Sequence, residues 1–321
     1  MLILVLWVIS LLGFLAAGLG SQGFFALELS DRLGQELQAT YIGQSAVQRA
    51  VSILARDSSP TVDGMNEEWI NNRALFAEQP SGAGSFTIGY RGDAPDGADV
   101  YGVVDEDRKI NLNSAPLPVL ERLLAVVGGM RATDARAVAE AIADWRDEDK
   151  EQRPEGAENF YYLGQDPSYE CKDGPFENIE ELLLIKGMTP TVYQRIAPSV
   201  TVYGSGRVNL NTASRAVLFA LGLGEPGVNG LVFYRVGEDN KEATADDRAL
   251  SSVSAIGSEL ARYVPAEDIN MLTQLAKEDF VGVGSQDFRV SVTAQTESGK
   301  GTVHLECVVD RTGQIKAWVE R

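Results

Sequence analysis

Apolar residues fill the first part of the chain almost without interruption. Residues 1–27 contain no charged side chain, and the first one is Glu28. As a helix with a rise of about 1.5 Å per residue, this segment would be about 40 Å long, more than the roughly 30 Å hydrocarbon core of a membrane. A single span satisfies its backbone hydrogen bonds only as a helix. The pattern therefore predicts a membrane-spanning helix at residues 1–27.

Beyond the apolar run, the spacing of hydrophobic residues stays helical. Apolar side chains recur every three or four residues, with charged and amide residues between them. The stripe consists of Leu29, Leu33, Leu37, Thr40 or Tyr41, Val47, Val51 and Leu54. It predicts one continuous helix from about residue 2 to Arg56. We expect the second half of this helix to lay the stripe on a soluble domain.

Alternating apolar and polar residues predict strands in two separate parts of the chain. One part covers residues 85–105, and the other contains three runs within residues 287–320, joined by short Gly-containing turns. The most compact arrangement pairs all of these strands in one antiparallel sheet packed on the long helix.

Helical patterns fill the region between the two groups of strands. Three segments each contain a capped helix, a glycine turn and a second helix, with the turns at Gly128–Gly129, at Gly187 and from Gly222 to Gly230. This order is typical of helix-hairpin-helix (SAM-like) units. We therefore predict an α+β fold with a large all-α insertion. The predicted units are residues 1–27 (membrane half of the helix), 28–107 (first part of the sheet domain), 108–276 (insertion) and 277–321 (last strands).

Composition restricts the function further. Among 321 residues, Asp and Glu outnumber Lys and Arg by 46 to 28, which gives a formal net charge of −18. Such a balance disfavours nucleic-acid binding, which requires basic residues to neutralise phosphates. Only Lys186 directly flanks a hairpin glycine, so a packing or interaction role is favoured for the hairpins.

Neither cysteine nor the single histidine indicates catalysis. Cys307 alternates with Val303 and Leu305 on the apolar face of a predicted strand, and His304 lies on the polar face. A buried free thiol is favoured over a disulfide with Cys171. Because no Ser/His/Asp or Cys/His set is present, we predict that the chain is not an enzyme.

Two acidic loops are candidate calcium sites. The first contains Asp144, Asp147, Asp149, Glu158 and Asn159, and the second contains Asp239, Asn240, Asp246 and Asp247. Calcium prefers six to eight oxygen ligands from carboxylates, amides and carbonyls. For the first loop, calcium is favoured over a solvated acidic turn. For the second, which lacks the spacing of an EF-hand, a calcium site and a polar exposed loop are equally compatible with the spacing.

Several segments, in this order, resemble a known family. The resemblance covers nearly the whole chain and rests on residues 4–8 (LVLWV), 111–116 (NLNSAP), 142–145 (IADW), 153–158 (RPEGAE), 180–190 and 208–213 (VNLNTA). The chain is similar to the minor pseudopilins of the bacterial type II secretion system, and specifically to the general secretion pathway protein K family.

The resemblance implies a pilin-like core with a helical insertion and Ca²⁺ bound in the soluble part. It also implies a place at the pseudopilus tip with minor pseudopilins I and J, on the inner-membrane assembly platform. The expected localisation is the bacterial inner membrane, single pass, with the soluble domain in the periplasm. The loop at residues 239–247 is similar to the calcium loop of the major pseudopilin (glycine, acid, Asn, then Thr-x-Asp-Asp).

Two departures from the pilin pattern occur at the start. No short basic leader precedes the apolar helix, so we expect that the chain begins at the mature residue or is truncated there. Val5 stands where most pilins have Glu, and the K subunit is the family's usual exception. We expect a non-enzymatic tip subunit. A membrane-anchored DNA receptor of the competence type is the alternative, and a membrane-tethered hydrolase is the third option.

Overall fold

The computed structural model describes residues 2–57, 59–92 and 99–321, and for residues 17–24 it describes the backbone without the side chains. The α-helices within these residues are α1 Leu2–Leu54, α2 Arg73–Phe76, α3 Leu117–Arg122, α4 Ala132–Arg146, α5 Asn159–Tyr162, α6 Pro190–Ile196, α7 Arg215–Leu221, α8 Glu225–Arg235, α9 Ile256–Leu260 and α10 Ala266–Lys277. The strands are β1 Gln79–Pro80, β2 Gly84–Ile88, β3 Tyr90–Arg91, β4 Asp99–Val100, β5 Val104–Asp105, β6 Ile110–Asn111, β7 Val200–Thr201, β8 Val208–Asn209, β9 Val281–Gly282, β10 Asp287–Thr296, β11 Thr302–Asp310 and β12 Ile315–Glu320.

One antiparallel sheet joins the two groups of strands. Its order is β1-β2-β10-β11-β12, and β5 pairs with the start of β10. The register between β10 and β11 runs from Asp287 opposite Asp310 to Gln295 opposite Thr302. The buried face of the sheet packs against the second half of α1. The predicted α+β, pilin-like fold, with a long N-terminal helix on an antiparallel sheet, is therefore confirmed.

Helix α1 meets this sheet through a different face from the predicted one. Small and branched residues at three- and four-residue spacing are buried: Ala39, Ile42, Ala46, Val47, Ala50 and Leu54. Gly43 also faces the sheet, where an added Cβ would be in ordinary van der Waals contact with Val303 Cγ1 at 3.4 Å. The prediction was correct for Val47 and Leu54, and the helix ends at Leu54 rather than Arg56.

The earlier part of the predicted stripe is open to solvent. Leu29, Leu33, Leu37 and Tyr41 are 58%, 55%, 56% and 61% exposed. The expectation that they pack on this chain's own domain was wrong, because the apolar core shared by the helix and the sheet begins only at Ala39. The spacing of these four residues predicted a helix correctly but did not identify what covers them.

The start of α1 was predicted to cross a membrane. Within the part of the chain that the structure describes, no helix combines the length and apolarity required for a span. Met1 and the side chains of residues 17–24, which belong to the predicted segment, lie outside that description. The span at residues 1–27 stays a prediction.

Each of the three predicted helix pairs turns at a glycine with a left-handed backbone. The φ angles are +72° at Gly129, +81° at Gly187 and +106° at Gly222. Because side chains disfavour this region, glycine is the residue that permits the turn. Three pairs of helical segments flank these turns: α3 with α4, a 3₁₀ segment (Ile179–Leu184) with α6, and α7 with α8. Helix α3 continues into a π-helical turn at Leu123–Val127.

Two hydrophobic cores divide the molecule. One lies between α1 and the sheet and includes Trp69, Phe288 and the buried free Cys307. The other runs from Ile110 to Val283 through the helical region. Along the chain, the residues of one core give way to those of the other close to the predicted domain boundaries at residues 108 and 277. These boundaries stay predictions.

Candidate metal centre

The end of α4 carries two of the predicted calcium ligands, and both are held by one arginine. Arg153 Nη1 lies 2.6 Å from Asp144 Oδ1 and 2.6 Å from Asp147 Oδ2. Asp144 is fully buried, and burial raises the pKa of its carboxyl although Arg153 opposes the shift. A Cβ at Gly156 would lie 2.0 Å from Asp144 Oδ2, so only glycine fits there. Part of the charge of this acidic pair is therefore compensated within the chain.

Glu158 lies further along the same loop, and its carboxylate is not compensated. The residue is 5% exposed, and neither Oε1 nor Oε2 has a hydrogen-bond partner among the described residues. Burial raises its pKa first, and the negative charges of Asp173 and Asp144 raise it further. Buried carboxylates without partners are costly, so this side chain is ready to accept a cation.

Asn159 and Asp149 have other roles. Asn159 Oδ1 accepts a hydrogen bond of 2.8 Å from the backbone N–H of Cys171, which ties the start of α5 to the segment that follows it. Asp149 is exposed, and its Oδ1 accepts from the N–H of Glu151 at 2.8 Å. Among the described residues, no group with metal-binding geometry includes Asp149.

Two residues beside Glu158 were missed by the sequence analysis. One ligand atom from each of Glu158, Cys171 and Asp173 lies within 4.8 Å of the other two. Asp173 lies fifteen positions after Glu158 with no motif between them, and the sequence indicates no metal-binding role for Cys171. Both cysteines are free and buried, as favoured.

The donor atoms at this place fit a hard divalent cation. Glu158 Oε1 and Oε2, Asp147 Oδ1 and Asp173 Oδ1 are buried without a hydrogen-bond partner among the residues described. Calcium takes its ligands from carboxylate oxygens of this kind. The candidate metal centre therefore consists of Glu158, Asp173 and Cys171, and the negative charge of Asp147 also acts on Glu158.

The second acidic loop contrasts with this centre. Asp246 Oδ2 accepts from the N–H groups of Glu238 (2.7 Å) and Asp239 (3.2 Å), and Asp247 Oδ2 accepts from the N–H of Ala243 at 2.7 Å. Asp239 Oδ1 likewise accepts from the N–H of Lys241 at 2.8 Å.

Asn240 has a left-handed backbone (φ +57°), as the tight turn requires, and like Asp239 and Asp246 it is exposed. The loop's carboxylates are therefore satisfied by its own backbone. Of the predicted ligands in this loop, only Asp247 is buried.

The basic residues next to the hairpin turns face the chain itself. Lys186 Nζ donates to the carbonyls of Glu155 (3.2 Å) and Gly156 (2.9 Å) and lies over the ring of Tyr161. Arg195 Nη1 donates to the carbonyl of Gly128 at 3.1 Å. These contacts, together with the net charge of −18, disfavour phosphate binding at the turns.

Comparison with known proteins agrees with this fold. The family model of type II secretion system protein K matches residues 99–205. A type II secretion system protein K from Klebsiella pneumoniae is 27% identical over 238 residues, covering 68% of each chain. Its counterpart from Pseudomonas aeruginosa is 28% identical over 235 residues, covering 70% of this chain and 68% of that one.

A solved structure is similar along almost its whole length. A chain in the crystal structure of the GspK–GspI–GspJ complex from the enterotoxigenic Escherichia coli type 2 secretion system superposes with a TM-score of 0.65. The match covers 94% of this chain and 99% of that chain at 17% identity, which shows a shared fold. Together with the sequence relatives, this match leads to one conclusion: the chain is similar to type II secretion system protein K in sequence over about two thirds of its length, and in fold over nearly all of it.

Proposed function

We propose that this chain is a tip subunit of the type II secretion pseudopilus and takes part in protein secretion across the outer membrane without catalysing a reaction. It assembles with minor pseudopilins I and J on the inner-membrane platform. The observation that carries the proposal is the open apolar stripe of α1. The similar E. coli chain, solved in a complex of GspK, GspI and GspJ, supports the choice of partners.

The stripe has the geometry of a helix-packing surface. Leu29, Leu33, Leu37 and Tyr41 follow one another at four-residue spacing and are all more than half exposed. Such rows form ridges that fit the grooves of another helix. Exposed contiguous apolar surface on a soluble domain marks an interaction site. A partner's helix is therefore the occupant that this surface favours.

The start of α1 supports attachment to the inner membrane. Every side chain described between residues 2 and 16 is exposed, and Leu2, Trp7 and Phe14 are at least 74% exposed. In this proposal the segment crosses the membrane once and the soluble part lies in the periplasm. Val5 fits a terminal position, because a Glu buried in an apolar helix needs a cationic partner from a neighbouring subunit. The helical insertion, residues 108–276, then caps the fibre.

Co-purification with minor pseudopilins I and J tests the assembly. We expect the wild-type chain to form the ternary complex, and Leu33→Gln combined with Leu37→Gln to reduce the yield at least about tenfold, since fully burying one leucine is worth about 1.5–3 kcal/mol. Arg32→Gln is the matched control, because Arg32 lies in the same part of the helix but is exposed and pairs with Glu28 instead of belonging to the stripe. Complex formation by the double variant at wild-type yield would overturn the proposal.

Calcium is the second part of the proposal. In this proposal Glu158, Asp173 and Asp147 hold one Ca²⁺ through the carboxylate oxygens that have no hydrogen-bond partner among the described residues. The ion fixes the segment from the end of α4 to residue 173. For the loop at residues 239–247 we propose only weaker binding, because its exposed carboxylates already accept backbone hydrogen bonds.

Thermal melting with calcium and with a chelator tests this part. A ligand that binds only the folded state at 100 times its Kd stabilises by about 2.7 kcal/mol. We therefore expect the melting temperature to rise in calcium and to fall when the chelator is added. An unchanged melting temperature, together with no heat of binding in calorimetry, would contradict calcium binding without affecting the assembly proposal.

A further inference from the structure

The candidate metal centre contains one donor that calcium does not favour. Cys171 Sγ belongs to the same cluster as the carboxylates of Glu158 and Asp173, with the ligand atoms within 4.8 Å of one another. Calcium takes oxygen ligands, whereas zinc takes thiolate sulfur together with carboxylate oxygen. The position of this thiol therefore bears on which cation the centre selects.

The cluster is more than a group of neighbouring acidic residues. Glu158 is only 5% exposed, and both of its carboxylate oxygens lack a hydrogen-bond partner among the described residues. Asp173 Oδ1 is also buried without a partner there. Because buried oxygens without partners are rare in folded proteins, their position next to one sulfur favours binding of a cation.

The backbone holds the sulfur in place. The N–H of Cys171 donates to Asn159 Oδ1 at 2.8 Å, and Asn159 directly follows Glu158. The thiol makes a long contact of 4.0 Å with the carbonyl of Asp144, and it also interacts with the carboxylates of Glu158 and Asp173. Glu158 and Cys171 are thus fixed next to each other by a hydrogen bond that no metal is needed to form.

We propose that this centre binds a thiophilic divalent cation of the zinc class through Glu158, Cys171 and Asp173. On binding, the thiol of Cys171 releases its proton to solvent and the thiolate forms the metal–sulfur bond. The inference shares its two carboxylates with the calcium proposal, so the two cations compete for one place. Sulfur gives the zinc-class ion a ligand that calcium does not use.

The second cysteine provides a matched control. Cys307 is also free and 1% exposed, but it lies on the inner face of β11 among Val303, Leu305 and Val309. No carboxylate cluster of metal-binding geometry includes it within the described residues. Replacing Cys307 therefore removes a buried thiol of similar accessibility without touching the centre.

Cadmium titration of the purified chain tests the inference directly. Cadmium is a spectroscopic substitute for zinc, and thiolate ligation produces an ultraviolet charge-transfer band. We expect one equivalent of Cd²⁺ to generate this band in the wild type and in Cys307→Ser, and zinc to displace it. Cys171→Ser should lose the band, and its zinc affinity should fall by more than about tenfold. Replacing even a residue that only orients a metal ligand lowers the metal affinity about 10- to 100-fold.

The outcomes separate this inference from the calcium proposal. Calorimetric calcium binding without any Cys171-dependent cadmium band would overturn the zinc-class inference and leave calcium in place. A band in wild-type protein with no calcium binding would support the inference and contradict calcium. Equal zinc affinity of the wild type and Cys171→Ser would show that the sulfur is not a ligand. Glu158→Gln should weaken the binding of both cations.

Discussion

Buried carboxylates occupy two regions of this molecule and differ in how they are satisfied. At the junction between the two cores, Asp105 is fully hydrogen-bonded by donors of the chain. At the candidate metal centre, Glu158 is about equally buried, but its oxygens have no partner among the described residues. The same kind of side chain thus joins two parts of the fold in one region and favours an external cation in the other.

The junction gathers its donors from distant parts of the chain. Asp105 Oδ2, at the end of β5, accepts from Thr212 Oγ1 (2.5 Å), Ser285 Oγ (2.6 Å) and Asn209 Nδ2 (3.2 Å). Asp107 Oδ1 accepts from the N–H and hydroxyl of Ser205 at 2.6 and 2.7 Å. These contacts connect the sheet domain to the helical insertion, so removing an acceptor leaves several buried donors unsatisfied.

The largest effect is expected for Asp105→Ala. Because Thr212, Ser285 and Asn209 would each lose a buried acceptor, we expect the free energy of unfolding to fall by about 3–5 kcal/mol. Urea denaturation followed by circular dichroism measures this change. Asp149→Ala, at an exposed position, is the control and should change the stability little. A loss for Asp105→Ala as small as that of the control would mean that the junction is not fixed by its hydrogen bonds.

A change of pH should alter the free energy of unfolding less than this substitution does, because titration leaves the side chains in place. Asp63 belongs to the same junction, because its Oδ2 accepts from the N–H of Ser285 at 2.7 Å. Burial raises the pKa of Asp63 from 3.8 to about 7, although Arg311 opposes the shift. Burial and the charge of Asp107 also raise the pKa of Asp105. The folded state therefore keeps protons that the unfolded state has already released. The stabilising contribution is complete below about pH 4 and is lost as the pH rises towards 7.

Unfolding free energies measured between pH 4 and 8 test the sign. Asp63→Asn should flatten the decline over this window, because its amide does not titrate. Glu106 affects the stability in the opposite direction and at lower pH, because Lys109 and Arg289 hold its pKa at about 2 against the effect of burial. A stability that rises between pH 4 and 7, and does so equally in Asp63→Asn, would contradict the raised pKa at the junction.

Local patterns predicted the elements, and long-range contacts decided the site. The helix and strands followed from periodicity, and the hairpin turns followed from glycines such as Gly129 and Gly222. Periodicity could not tell that Leu33 faces solvent, because an apolar stripe looks the same whether its own domain or a partner covers it. Asp173 was missed because only folding brings it to Glu158. Asp144 was predicted from the sequence as a calcium ligand, but no sequence pattern indicates its ion pair with Arg153.

Glu158→Gln sharpens the contrast at the metal centre. Without calcium the variant should be slightly more stable than the wild type, because one of several repelling charges is removed. With calcium it should lose most of the stabilisation of about 2–3 kcal/mol expected at 100 times the Kd. Melting temperatures with chelator and with calcium measure both effects. Asp149→Asn removes a charge from the same acidic stretch without entering the centre, and its calcium shift should match the wild type.

The smallest effect is expected for Asp246→Asn in the second acidic loop. Asp246 is exposed, and its oxygens already accept from two backbone N–H groups and from Thr244 Oγ1. Calcium would have to displace these hydrogen bonds, so the variant should keep nearly the whole calcium-dependent rise in melting temperature, and calorimetry should find one tight ion per chain. If Asp246→Asn instead removed as much calcium binding as Glu158→Gln, carboxylates satisfied by backbone would bind the ion as well as unpartnered ones. Burial without a partner would then no longer distinguish the two acidic regions.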